Sequence, residues 1–253
     1  MDTRSIVPVL LYHRIAWSAN DRYAVSPSSF ASHLQAILGS GRTPLTISEL
    51  AEFLRGTAAM KRKYIAITFD DGYAETLEAV VALTDLGLKA TVYVTTGLIG
   101  SLGMLTPEQV QTLASMQGVE VGAHTVSHPY LDELGRTEVE QEVVRSRQTL
   151  QALGCMAGSF AYPHGAYDAS VRAAVIEAGF GSAAGVKNAL SHGRDDPWAI
   201  ARYTVSQSTS LKQVTRLLEG RGAPLAWTHE RLRTRAYRVA RRFGRRVSFG
   251  TRF

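Results

Sequence analysis

Two groups of residues in this chain have the types and the spacing to do chemistry. The first is Asp70-Asp71-Gly72, which closes the run Tyr64-Ile65-Ala66-Ile67-Thr68-Phe69. Neighbouring residues at a strand end point in different directions, so the two carboxylates need not share a task. One can bind a cation while the other stays free to take a proton. The plainer use of such a pair is to cap the helix that follows. The second group is His124-Thr125-Val126-Ser127-His128, directly after Val119–Ala123. Two imidazoles four residues apart at a strand end can both turn onto one ion. A carboxylate with two histidines is a common open metal set, leaving positions for water and substrate. Two more strand ends carry histidine, in Leu11-Tyr12-His13 and in Ala161-Tyr162-Pro163-His164-Gly165, so four of the seven histidines fall where one site could gather them.

The elements that must position these groups alternate along the chain. Strands are expected at Val7–His13, around Leu45, and at Ile65–Phe69, Ala90–Thr95, Val119–Ala123, Ser159–Tyr162, Gly181–Ala184 and Ala201–Val205. Between them, helices are expected from Ser26 to Gly39, over Ser48–Leu54 and Glu75–Leu86, from Thr106, and over Arg136–Leu153, Asp168–Ala178 and Leu211–Leu218. Ser26-Pro27 and Thr106-Pro107-Glu108-Gln109 supply helix starts, and Gly39, Gly87 and Gly154 supply stops. Strand–helix alternation argues for an α/β fold with a parallel sheet covered by helices. About seven such units favour a closed or nearly closed barrel, in which the C-terminal ends of the strands share one face. No Gly-x-Gly-x-x-Gly or Walker-type loop follows any strand, so a nucleotide fold has no support.

At 253 residues and 45% apolar content, one large α/β domain is within reach. The single cysteine, Cys155, forbids an intramolecular disulfide, and nothing demands an oxidising compartment. The opening Met1-Asp2-Thr3-Arg4-Ser5 leads into a run too short and too polar for a signal-peptide core, and no 18-residue apolar stretch occurs. The expectation is a soluble, cytoplasmic protein. Its net charge of +6 is uneven: Arg231–Phe253 holds nine arginines and no acid, leaving the preceding residues at −3. This tail, mixed with Leu232, Tyr237, Phe243 and Phe249, could form a basic amphipathic helix on an anionic membrane surface, which would bring the protein to the inner face of the membrane. A solvated tail is the plainer alternative, and no DNA-binding motif accompanies it, so no nucleic-acid partner is expected. The division expected is a catalytic domain over 1–222 and an Arg-rich tail over 223–253.

Thr68-Phe69-Asp70-Asp71-Gly72 and His124-Thr125-Val126-Ser127-His128 match the first two motifs of the metal-dependent polysaccharide deacetylases, the carbohydrate esterase family four proteins with the NodB-homology domain. Phe160-Ala161-Tyr162-Pro163-His164-Gly165 resembles their third motif, and Leu10-Leu11-Tyr12-His13-Arg14-Ile15 resembles the subgroup containing biofilm poly-N-acetylglucosamine deacetylases. The resemblance, over roughly Val7 to Val205, implies a distorted (β/α)7 barrel and hydrolysis of an N-acetyl group on a sugar or glycan.

By motif, it implies that Asp71, His124 and His128 hold one divalent ion, Zn²⁺ first and Co, Ni, Mn or Fe as alternatives. Asp70 becomes the general base. Tyr162, Pro163 and His164 fall in the oxyanion and substrate motif, with the His164 backbone N–H as the oxyanion donor. The acid that protonates the leaving amine is assigned to His13, because Leu11-Tyr12-His13 fits the family's Leu-x-His pattern at an unusual place. His229 in Trp227-Thr228-His229 is the rival. Three departures follow. The arginine that often opens the third motif and orients the base is Ala161 here, and Arg202 is the candidate to replace its charge. His164 stands where an aromatic residue is usual. The fourth motif survives only as Asp195-Asp196-Pro197-Trp198, in which either Asp could support the catalytic histidine or simply make a turn. An O-acetyl esterase or an amino-sugar deformylase would share these motifs, and a carbohydrate-binding protein with a decayed site is the reading from another class.

Overall fold

The computed structural model describes residues 5–18, 20–56 and 62–227. The arginine tail Arg231–Phe253 and His229 lie outside the described residues. Strands and helices alternate as β1 (Val9–Tyr12), α1 (Pro27–Gly39), β2 (Thr43–Leu45), α2 (Ile47–Arg55), β3 (Tyr64–Phe69), α3 (Thr76–Thr84), β4 (Ala90–Val94) and α4 (Pro107–Ser115). They continue as β5 (Val119–Ala123), α5 (Arg136–Ala152), β6 (Ser159–Ala161), α6 (Ala169–Glu177), β7 (Ser182–Ala184), β8 (Tyr203–Thr204) and α7 (Leu211–Leu218). Helix starts carry side-chain caps, as expected at Thr106. Thr46 and Thr106 form reciprocal capping boxes with Glu49 and Gln109, and the Asp168 side chain accepts from the N–H groups of Ser170 and Val171.

The sheet runs β7-β6-β5-β4-β3-β1-β8, with all neighbours parallel. β2 pairs with the first half of β3, on the side opposite β1. The sheet curls until its ends meet. Ile200, just ahead of β8, donates its N–H to Ala183 and accepts from Gly185, both at 2.9 Å, while β8 itself pairs with β1. The protein is therefore a single α/β domain built on a distorted (β/α)7 barrel. β8 is shorter than the expected Ala201–Val205 because its approach is shared between two neighbours. Two-residue pairs, Ile6–Val7 with Ser191–His192 and Arg14–Ile15 with Ala24–Val25, carry no periodicity that a sequence reading could detect.

Alternation along each strand separates two packed layers. Leu10, Tyr12, Ile65, Ile67, Phe69, Val92, Val94, Val121 and Phe160 face the helices, where they join the main core. Val7, Val9, Ala66, Tyr93, Ala161 and Ala184 face inward and fill the barrel. Gly122 belongs to this inner row, and a Cβ there would lie 2.6 Å from the Tyr93 ring. Continuing the inner rows upward leads to His13 on β1, Asp70 on β3 and His124 on β5. Periodicity of two thus delivers three of the chemical residues to one mouth. At the opposite end Arg42 is buried and donates to the carbonyls of Ile6, Tyr64 and Leu218.

Candidate metal centre and active site

Asp70 ends the inner row of β3 at 2% exposure, and Arg202 meets it with both arms of its guanidinium. Nη1 donates to Oδ1 at 2.6 Å and Nη2 to Oδ2 at 2.8 Å. The same guanidinium donates to Thr68 Oγ1 at 3.2 Å and, through Nε, to the Gly185 carbonyl at 3.1 Å. Burial alone would push the Asp70 carboxyl up; Arg202, with His124 and His13, outweighs it and holds the carboxyl below its usual range. Asp70 is therefore an anion held in one orientation, and the Asp-Asp pair caps nothing. Helix α3 starts from Glu75, with no side-chain cap.

Asp71 adopts φ 75°, in the left-handed region, and this breaks the strand alternation at the point where its side chain is needed. Its Oδ1 lies 3.5 Å from His124 Nε2 and 3.2 Å from His128 Nε2. His128, at φ 60°, and Thr125, at φ 66°, are bent in the same way, and the His128 N–H donates to Thr125 Oγ1 at 2.9 Å. One donor atom from each of Asp71, His124 and His128 falls within 4.8 Å of the others. The set fits a divalent cation. His124 Nδ1 lies 2.8 Å from the Ala161 carbonyl, which can only accept, so Nδ1 carries a proton and Nε2 is the ring nitrogen turned to Asp71. Asp71 Oδ1 is buried facing two imidazole nitrogens without hydrogen-bond geometry to either, as a shared ligand atom would be.

The loop carrying the second histidine is held from a distance. Glu142, on α5, accepts from the N–H groups of Val126 and Ser127 at 2.8 and 2.9 Å and from Ser127 Oγ at 2.7 Å. Sequence reasoning missed Glu142, since nothing local marks one acid among several on a charged helix. It also missed Arg14, which donates to Glu75 at 2.6 Å and lies over the Tyr73 ring, bracing the chain just past Asp-Asp-Gly.

The polysaccharide deacetylase family profile matches residues 57–183, half of the chain. The chain belongs to the polysaccharide deacetylase family. It is similar to the Bacillus subtilis protein YxkH, with 26% identity over 81% of this chain and 73% of that one. A chitooligosaccharide deacetylase of Sinorhizobium fredii is 29% identical over 46% of this chain and 53% of its own length. Among solved structures, the Streptococcus pyogenes deacetylase PplD in complex with acetate superposes with a TM-score of 0.75 at 24% identity, covering 83% of this chain and 96% of that one. IcaB from Ammonifex degensii superposes with a TM-score of 0.74 at 22% identity, covering 85% of this chain and 97% of that one.

In this family member the remaining motif residues separate. His13 follows β1 with its ring half-buried against Tyr23, the centroids 4.6 Å apart, and its Nδ1 has no hydrogen-bond partner among the described residues. Burial holds its imidazole below the ordinary value, against the pull of Asp70 and Asp71. Pro163 opens a short turn in which His164 takes φ 58°, and the His164 N–H meets no acceptor among the described residues. The His164 ring stacks on Tyr130 at 3.9 Å and stands edge-on to His128 at 4.5 Å. Burial, reinforced by His128, pushes the His164 imidazole down to about 4.

Tyr162 needs correcting as a substrate-facing side chain. It is fully buried, stacks on Tyr167, and donates its hydroxyl to the Trp198 carbonyl at 3.0 Å. Asp195 and Asp196 bond to no histidine of the site among the described residues. Asp195 accepts from Lys187 at 3.2 Å, from Ser191 at 2.9 Å and from the Ala201 N–H at 2.8 Å, so it braces the backbone next to Arg202. Asp196 takes both arms of Arg172 at 3.1 Å.

Proposed function

We propose that this protein is a divalent-metal hydrolase that removes the acetyl group from an N-acetylated sugar or glycan. The observation that carries the reading is the convergence of Asp71, His124 and His128 beside an Asp70 locked by Arg202. A divalent ion held by those three residues, Zn²⁺ first among them, supplies Lewis acidity to water and to the acetyl oxygen. Asp70 is placed to take the proton of the attacking water, since each carboxylate oxygen keeps a lone pair beyond its bond to Arg202. The free His164 N–H is a donor for the developing oxyanion. His13, across the mouth from the histidine pair, gives a proton to the departing nitrogen as the C–N bond breaks, leaving acetate and a free amine. The names of the relatives, among them a chitooligosaccharide deacetylase, favour an amide on a sugar over an ester.

Acetate release from N-acetylglucosamine oligomers, an O-acetylated glycan and a lipid-linked N-acetyl sugar, with added Zn²⁺ or Co²⁺, tests the reading. Release from the amides supports it. Release from the ester alone would replace it with an esterase. The arginine tail adds a second proposal: with its aromatic and aliphatic residues it docks on an anionic bilayer, giving access to substrate at the inner membrane face.

A further inference from the structure

The two histidines of the metal centre are oriented in different ways. His124 is fixed by its own bond from Nδ1 to the Ala161 carbonyl at 2.8 Å. His128 stands edge-on to His164 but has no such bond at its second ring nitrogen among the described residues, so its imidazole depends on the backbone that carries it. That backbone is strained. It turns back through two left-handed residues, Thr125 at φ 66° and His128 at φ 60°. A β-branched residue such as Thr125 rarely adopts this conformation, which persists only where the surroundings impose it.

One side of the loop is imposed by main chain. In the turn after β4 the Thr96 N–H donates to the Thr125 carbonyl at 3.0 Å, and the Gly97 N–H donates to the Val126 carbonyl at 2.8 Å. A Cβ at Gly97 would lie 2.5 Å from the Val126 oxygen, so a side chain there would push the two segments apart. The other side rests on one carboxylate. The N–H groups of Val126 and Ser127, between the two left-handed residues, both donate to Glu142 Oε2, at 2.8 and 2.9 Å. Glu142 Oε1 accepts from Ser127 Oγ at 2.7 Å. Consecutive N–H groups turned to one point make a concave anion site, and here the chain supplies its own anion. Val139, Val143 and Leu150 seat α5 in the main core, so Glu142 reaches the loop from a firm support. Hydrogen bonds to an ionised acceptor are about twice as strong as neutral ones, which suits a clamp that must hold a strained turn.

We propose that Glu142 is a positioning residue of the metal centre: by clamping the loop from Thr125 to His128 it aims the His128 imidazole at the ion and sets the affinity for it. This rests on the metal reading, and the test separates the two. Zn²⁺ affinity of the full chain is measured by competition with a chromophoric chelator, and the ligand-field bands of the Co²⁺ form are recorded at saturation. The proteins compared are the wild type, Glu142→Gln and Glu140→Gln. Glutamine keeps the shape of the side chain and removes its charge. Glu140 lies on the same helix and pairs with Arg136 at 2.7 Å, away from the loop, so it controls for the charge alone. Zn²⁺ should bind Glu142→Gln about 10-fold more weakly, as outer partners of metal ligands typically cost. Its Co²⁺ bands should be displaced, and Glu140→Gln should match the wild type in both. Wild-type affinity or wild-type Co²⁺ bands in Glu142→Gln, or an equal loss of affinity in Glu140→Gln, would overturn the positioning role and leave the metal centre standing. A wild type that binds no Zn²⁺ would overturn the metal reading and this inference with it.

Discussion

With Arg202 replaced by Met, Asp70 would remain as a buried carboxylate without its guanidinium partner. Removing one partner of a buried pair costs about 3–5 kcal/mol, so Arg202→Met should lose that much in denaturant unfolding. The double variant Arg202→Met/Asp70→Asn should recover most of the loss while remaining inactive. Equal stability of the single and double variants would contradict the pairing. A second residue-scale expectation concerns Cys155, which is 5% exposed and whose thiol burial pushes up to about 11. At pH 8 about 0.1% would be thiolate, so iodoacetamide should label the native protein slowly and the unfolded protein fast. Rapid native labelling would refute the packing around α5 and β6. Asp70, Asp71, His124 and His128 were legible because their spacing is local. Arg202 was only a candidate, because its partner stands 132 residues away and no local pattern records such a distance. Glu142 and the buried role of Tyr162 were not legible at all, since both depend on which way a side chain turns after packing.

Elements were read best where their ends are chemical. Thr106 and Asp168 mark helix starts with side-chain hydrogen bonds, and strands β3 and β5 follow from β-branched alternation, whereas the Thr46 cap places α2 one residue ahead of the expected Ser48 start. β8 was read too long because its pairing is split between β7 and β1, a consequence of closure rather than of composition. At this scale Gly122 makes the sharpest prediction. A methyl there meets both the Tyr93 ring at 2.6 Å and Ser159 Oγ at 2.7 Å, and neither is the end of a flexible chain. Gly122→Ala should cost about 1–3 kcal/mol by overpacking. It should also reduce kcat, because Tyr93 lies beneath the Arg202 guanidinium at 5.3 Å. Wild-type stability and turnover in Gly122→Ala would refute the account of the barrel interior.

For the whole molecule, the parallel barrel explains why residues from β1, β3, β5, the turn after β6 and the approach to β8 form one site. Strand–helix alternation made that much readable. An ion bound only by the folded chain stabilises it by about 2.7 kcal/mol at one hundred times its Kd, or about 5–10 °C in Tm for a chain of this length. Zn²⁺ should therefore raise the Tm of the wild type and not that of His124→Ala/His128→Ala. Equal shifts would place the ion elsewhere. No helix among the described residues is long and apolar enough to cross a membrane. The membrane proposal consequently rests on Arg231–Phe253, and flotation with anionic vesicles should be lost when those residues are removed. Equal flotation of both forms would refute it.

The most direct test of the metal-hydrolase account pairs metal content with turnover in one variant. Wild type and Asp70→Asn are stripped with chelator, reloaded with Zn²⁺, assayed for bound metal, and incubated with the N-acetylglucosamine tetramer. The expected result is one ion per chain in both proteins, with acetate released by the wild type and not by Asp70→Asn. Acetate release that survives in a metal-loaded Asp70→Asn, or that proceeds equally in chelated wild type, would contradict the account.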